Sequence, residues 1–335
     1  MTAATAGTKR PGRLRQFMEG ESHIDFVGRL RLWMTISATL LVICALALAI
    51  RGINFGIDFT GGTSLIIENA TETFTAEDIR EAVGELGVDE VTVQLTGDGQ
   101  GALISTTALD EVAGTQQRDV VDRLAELTGA DRDQIEVNAI GPRWGEQISR
   151  QALEGLGVFL LLVGIYIAIR FEWRMAVAAL LALVHDVVLT IGIYALVGFQ
   201  VTPASVIALL TILGYSLYDT VVVFDRVAED TARLGSSSSR PYSAYANDSL
   251  NSVLVRSLST SITSLLPVGA LLFIGAQLLG ATTLQDLALA LFIGMAVGTY
   301  SSVFVATPVL CWLKEREPRY RELRHRLETR RGRTS

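Results

Sequence analysis

The sequence predicts a polytopic α-helical membrane protein, with six transmembrane helices and one external ferredoxin-like βαββαβ domain between the first and second. Three observations carry that prediction. Half of the 335 residues are hydrophobic and only 19% are charged, below the roughly 25% usual in soluble domains. The apolar residues gather into six runs, 32–50, 152–169, 175–197, 203–224, 253–275 and 287–312. Each is long enough to cross a hydrocarbon core of about 30 Å at about 1.5 Å per residue. Finally, charge is distributed unevenly around those runs.

Residues 1–31 carry six Lys/Arg against three acids, and the stretch from Leu313 to the end carries nine against four. Residues 51–151 carry seven against nineteen, so the net charge of −7 conceals two basic flanks and an acidic middle. Basic flanks stay in the cytoplasm. The expected order is a cytoplasmic N-terminal tail (1–31), helix 1 (32–50), an external α+β domain (51–151), helices 2–6 (152–312) and a basic cytoplasmic tail (313–335). The short RFEWR turn at 170–174 then falls inside, as alternation requires. The ALALA stretch at 45–49 has the small-residue spacing of a signal-peptidase site. The apolar region before it exceeds the roughly 7–15 residues usual for a cleaved leader, so a retained span is expected. Beside a membrane exit, the arginine-rich tail is expected to meet anionic lipid, the ribosome or a partner's cytoplasmic face, not a specific nucleic acid.

Within the external segment, TSLIIE (63–68) reads as a strand. TAEDIREAVGELG (75–87) reads as a helix capped by Thr75, with Ile79, Val83 and Leu86 on one face. VTVQLTG (91–97) alternates as a half-buried strand does, and GDGQG turns it into ALISTT (102–107). A second helix is expected over 110–128 and a last strand over 135–141, completing the βαββαβ order. Ahead of this domain lies NFGIDFTGG (54–62). There Gly61 and Gly62 permit tight or left-handed turns where helix becomes strand, and Asp58 can satisfy nearby amides. The domain holds no Cys or His, and the whole chain offers no nucleophile set, metal cluster or nucleotide loop, so an enzyme, a cofactor and a bound metal are not expected. The two cysteines, Cys44 and Cys311, lie in the first and last spans at different depths and are expected to be free.

Polar groups inside the apolar runs carry the functional expectation, because an acid near mid-bilayer costs roughly 2.5–3.5 kcal/mol on insertion scales. LVHDVVLTIG places His185 and Asp186 in the third span. Thr211, Tyr215 and Asp219 recur every four residues in the fourth span, and Arg256, Thr260 and Ser264 do so in the fifth. Matching depths suggest an Asp219–Arg256 ion pair solvated by hydroxyls of both spans, with one of His185 and Asp186 joining the polar seam. Neighbouring charge lowers an aspartate's pKa and desolvation raises it, so such a pair can act as a proton carrier or as a static packing element. In the sixth span, Ala290, Gly294, Gly298 and Ser302 form a small-residue ridge, which allows close helix approach.

FGIDFTGG (55–62), the HD pair (185–186), GYSLYDTVVVFDR (214–226) and RSLSTSITSLLPV (256–268) together resemble the SecD/SecF family of protein-export membrane proteins, within the resistance-nodulation-division superfamily. The resemblance spans all six helices and the external domain, leaving the tails. It implies a translocon accessory subunit in the cell membrane that couples proton-motive force to preprotein movement. Asp219 and Arg256 would hold proton-coupling positions, and the expected partners are a SecD chain, the SecYEG channel, the translocating preprotein and protons. The competing expectations are a non-transporting translocon scaffold and a small-molecule or lipid exporter of the same superfamily.

Overall fold

The computed structural model describes residues 24–67, 70–88, 91–96, 100–107, 109, 115–140, 142–232, 234, 238–275 and 282–331. Residues 1–23 of the N-terminal tail, 97–99 of the GDGQG turn, 110–114 of the second expected helix and 332–335 of the basic tail lie outside them.

Among the described residues, six helices are long and apolar enough to cross a membrane: Leu30–Arg51, Trp144–Arg170, Trp173–Val197, Pro203–Thr231, Tyr242–Ile274 and Leu284–Lys314. They lie within α1 (Leu30–Arg51), α5 (Pro142–Arg170), α6 (Trp173–Val197), α7 (Pro203–Thr231), α8 (Tyr242–Ala270) and α9 (Thr282–Ser301) with its continuation. Among the described residues of these spans, two stretches depart from α-helical winding. A π-helical stretch, Leu271–Gly275, extends α8 beyond the internal Pro267. A second, Ser302–Ala306, joins α9 to α10 (Thr307–Lys314). The final helix, α11 (Pro318–Arg331), docks by Tyr320 against Tyr242, with ring centroids 4.9 Å apart.

Burial sorts the spans. Half or more of the most apolar stretches of α6 and of the sixth span is buried inside the protein, against 17% for α1 and 11% for the second span. The bundle core runs from Ile167 and Phe171 through Ala178, Ala179 and Ala182 to Leu213, Val223, Phe224 and Leu310. Small residues on α9 bring α7 close: a Cβ on Gly294 would collide with Ile212, and one on Gly298 would lie 2.9 Å from the Ser216 Cβ. The small-residue ridge therefore packs as its spacing implies.

The external domain comprises β2 (Gly62–Ile67), α3 (Ala76–Gly84), β3 (Thr92–Thr96), β4 (Gly101–Thr106), α4 (Thr115–Thr128) and β5 (Ile135–Ile140). The sheet order is β3-β4-β2-β5 with every neighbour antiparallel. The two outer strands are the second and the last of the domain, the ferredoxin-like arrangement that βαββαβ connectivity produces. Leu65, Ile67 and Ile104 from the sheet and Ile79, Val83, Val120 and Leu124 from the helices fill its core. Thr75 caps α3 in a reciprocal box with Asp78, so two amides that helix geometry leaves open are satisfied.

A compact junction ties this domain to the bundle. After α1, β1 (Asn54–Phe55) pairs in parallel with β6 (Gln200–Val201), the strand between α6 and α7. The short helix α2 (Ile57–Thr60) follows, ended by Gly61 at φ 75°, and Gly62 at φ 141° opens β2. Neither angle suits an L side chain. At Gly62 a Cβ would also strike the Thr106 carbonyl oxygen, and at Gly145 in α5 one would strike the Phe59 carbonyl oxygen. The buried Gln200 amide donates to Ser105 Oγ at 3.1 Å, joining β6 to β4 directly.

Candidate functional site

Among the described residues, two carboxylates lie buried in the bundle, one on α6 and one on α7. His185 and Asp186 are neighbours on α6, yet both are buried, and His185 Nδ1 stands 3.2 Å from Asp186 Oδ1. Asp186 Oδ2 accepts a 2.6 Å hydrogen bond from Ser216 Oγ on α7. The other imidazole nitrogen, Nε2, is buried without a partner among the described residues, and the ring lies 6.2 Å from that of Tyr300. Tyr300 Oη in turn lies 2.9 Å from Ser37 Oγ on α1. Thus both members of the HD pair line the polar seam, where the sequence suggested one.

Asp219 is 7% exposed and receives hydrogen bonds from two helices at once. Ser257 Oγ on α8 donates to Asp219 Oδ2 at 2.8 Å, and Ser302 Oγ, at the start of the π-helical stretch, donates to the same oxygen. A π turn adds a residue and changes which side chains face a neighbouring helix. Here it begins at Ser302, directly after Ser301, and both serines are fully buried. Nearby, Thr299 Oγ1 donates to Ser261 Oγ at 2.9 Å. Because Ser216 and Asp219 are three residues apart on α7, the two acids are held on adjoining parts of one helix face.

The expected Asp219–Arg256 ion pair is not formed. Arg256 is exposed, and among the described residues its side chain has no carboxylate partner. The side chain that reaches Asp219 is that of the next residue, Ser257, about 100° further round the helix. Thr260 turns its hydroxyl back to the Arg256 carbonyl at 2.8 Å, Ser264 is half-buried, and neither contacts the acid. On α7, burial rises along the predicted face: Thr211 is exposed, Tyr215 half-buried and Asp219 buried. The sequence does not single out Ser216, Ser257 and Ser302 as acid ligands, since a serine in an apolar run is a common packing residue. Only the phase of each helix distinguishes the two uses.

Asp58, the acid of the junction, sits in α2 with its carboxyl pushed up by burial, against a backbone hydrogen bond that lowers it. It lies beside β6, where Thr202 caps α7 in a reciprocal box with Ser205. Gly61 and Gly62 supply the backbone angles described above. Cys44 and Cys311 are both free and buried.

Residues 120–316 match the family model described as "Protein export membrane protein SecD/SecF, C-terminal", and residues 46–68 match "SecD/SecF GG Motif". The chain is 45% identical over 316 residues to the protein translocase subunit SecF of Streptomyces coelicolor, covering 93% of this chain and 83% of that protein. To SecF of Rhodothermus marinus it is 36% identical, covering 90% and 97% respectively. The crystal structure of SecDF from Thermus thermophilus, a translocon-associated membrane protein, superimposes with a TM-score of 0.78 at 33% identity. That likeness covers 89% of this chain but 39% of the SecDF chain, so the present molecule spans well under half of that larger protein. Six apolar helices, the ferredoxin-like insert, the glycine junction and these matches together lead to one assignment: this multi-pass membrane protein belongs to the SecD/SecF family of protein-export membrane proteins.

Proposed function

We propose that the chain is a SecF-type accessory subunit of the Sec translocon that, together with SecD, uses proton-motive force to promote preprotein translocation through SecYEG. The observation that carries this reading is the setting of Asp219: a carboxyl group buried between three helices and held by the hydroxyls of Ser257 and Ser302. Hydroxyls both donate and accept hydrogen bonds. An acid solvated by them can take up or release a proton without breaking an ion pair, and the serines re-orient as it does. The HD pair and Ser216 extend the same polar seam through α6 and α7. Each proton crossing a potential of 100 mV releases about 2.3 kcal/mol, enough to bias a helix arrangement with two states.

Arg256 supports the partner assignment. An exposed guanidinium in a membrane span is costly unless it meets a counter-charge or water. In this reading SecD covers the outer face of α8 and completes the proton-coupling site around Asp219 and Arg256. Both basic termini are cytoplasmic, and they rest against anionic lipid of the cell membrane.

The test is export of a secretory precursor with and without proton-motive force, in cells whose only copy carries Asp219→Asn, with membrane level and SecD association measured alongside. Loss of the force-dependent part of export from an assembled protein is the expected result. Unchanged export would make Asp219 a packing residue and favour a scaffold role.

A further inference from the structure

The cytoplasmic end of the sixth span carries a basic groove that proton coupling does not use. Its volume is about 570 Å³, and it is lined by Arg316, Pro318, Arg321, Glu322, His325 and Arg326. The cations around this corner fall into two kinds. Lys314 is buried and paired with Glu172, Arg174 is paired with Glu317, and Arg324 is paired with Glu315 at 2.9 Å. Arg316 and Arg321 are exposed, and among the described residues neither side chain has a carboxylate partner. Arg316 and Arg321 against the single lining acid Glu322 leave the groove positive.

Depth identifies what meets it. Glu317 and Lys314, on either side of Arg316, are bonded to Arg174 and Glu172, so the groove lies level with the short turn between α5 and α6. Two exposed tryptophans mark the same level: Trp173, with the Arg174 guanidinium 4.6 Å above its ring, and Trp312, with that of Arg316 3.5 Å above its ring. Tryptophan collects at the headgroup layer. The Arg316 guanidinium rests over the Trp312 ring in a cation–π contact, which leaves its N–H donors available to a phosphate. α11 carries Arg321 and His325 one turn apart along the other wall, and its own apolar side is spent on Tyr320 and Leu323, both buried in the protein.

We infer that Arg316, Arg321 and His325, seated beside Trp312, form a binding site for the phosphate headgroup of an anionic phospholipid. This rests on the reading that the basic C-terminal tail faces anionic lipid, and narrows it to one groove. A lipid phosphate held here bridges the sixth span to α11, and so fixes the tail helix against the cytoplasmic face of the bundle.

The experiment is native mass spectrometry of the purified full chain equilibrated with phosphatidylglycerol or phosphatidylcholine, comparing wild type, the double variant Arg316→Gln/Arg321→Gln, and Arg80→Gln on the external domain as a control. Wild type and control are expected to retain phosphatidylglycerol preferentially, and the double variant to retain roughly 30-fold less, from about 1 kcal/mol per cation at a membrane surface. Both altered side chains are exposed, so an unchanged unfolding transition shows that the fold survives. Preferential retention equal in all three proteins overturns the groove while leaving the tail reading intact. No preference for phosphatidylglycerol in any of them overturns both. Displacement of the lipid by millimolar inorganic phosphate at constant ionic strength marks a small-anion site and overturns the lipid assignment.

Discussion

Replacing Gly298 with alanine probes how tightly the sixth span presses on α7, which carries Asp219 and the Ser216 hydroxyl that bonds Asp186. The added Cβ would lie 2.9 Å from the Ser216 Cβ and 3.5 Å from its Cα, with ordinary contact beginning at 3.4 Å. The helices must therefore part by about 0.5 Å, or Ser216 must move; overpacking of this kind costs about 1–3 kcal/mol. Alanine gains about 1 kcal/mol over glycine in a helix interior, so the net loss is about 0–2 kcal/mol. Ser216 cannot step aside freely, because its hydroxyl is bonded to Asp186 at 2.6 Å. In a Ser216→Gly background the obstructing Cβ is gone, and the same Gly298→Ala change is expected to be neutral or stabilising by about 1 kcal/mol. Equilibrium unfolding in detergent micelles of the four proteins gives the coupling, expected at about 1–3 kcal/mol. A Gly298→Ala effect that is the same in both backgrounds, within about 0.5 kcal/mol, would refute the contact.

Other outcomes follow from the same geometry. Gly62→Ala sets a side chain against the Thr106 carbonyl oxygen at φ 141°, and it is expected to cost at least about 1–3 kcal/mol, seen as increased protease cutting near the junction. Gln200→Ala removes the bond to Ser105; it is expected to broaden the spin-label distance distribution between β4 and α7 without lowering membrane insertion, and an unchanged distribution counts against a tethering role. Thr75 holds the Asp78 carboxyl below the usual carboxylate range, first through its side chain and then through its backbone. Because that folded value is lowered, the stabilisation is present above the unfolded value of about 3.9 and is lost as pH falls through the folded one. Thr75→Ala should move the Asp78 midpoint upward in an NMR titration and flatten this acid dependence; an unmoved midpoint rejects the cap.

Much of the fold was legible because lipid crossing and strand alternation leave strong periodic marks. The six apolar runs needed only length, and βαββαβ emerged from Thr75, from alternation in VTVQLTG and from the final apolar strand. The site was legible only in part. Asp219, His185 and Asp186 stand out because acids and imidazoles are scarce in apolar helices. Their ligands do not: Ser216, Ser257 and Ser302 look like any small residue beside a packed helix. The expected Arg256 contact failed on rotation, since depth can be counted along a sequence, while the neighbour that faces inward depends on packing phase. The same holds for Ser302, which reads as the end of the Ala290–Gly294–Gly298 ridge and proves to be a ligand of Asp219. The π-helical stretch has no single-residue signature, and the two-residue strands β1 and β6 are too short to show a period.

That pair of short strands gives the external domain a second mechanical attachment. A pull on β2 reaches α1 through the chain, and it reaches the start of α7 through the β1–β6 pairing and the Gln200–Ser105 bond. Load is thereby shared between an outer span and the helix that carries Asp219 further along its length. The sheet and the N-terminal end of α7 are thereby joined by a route that does not run through α1.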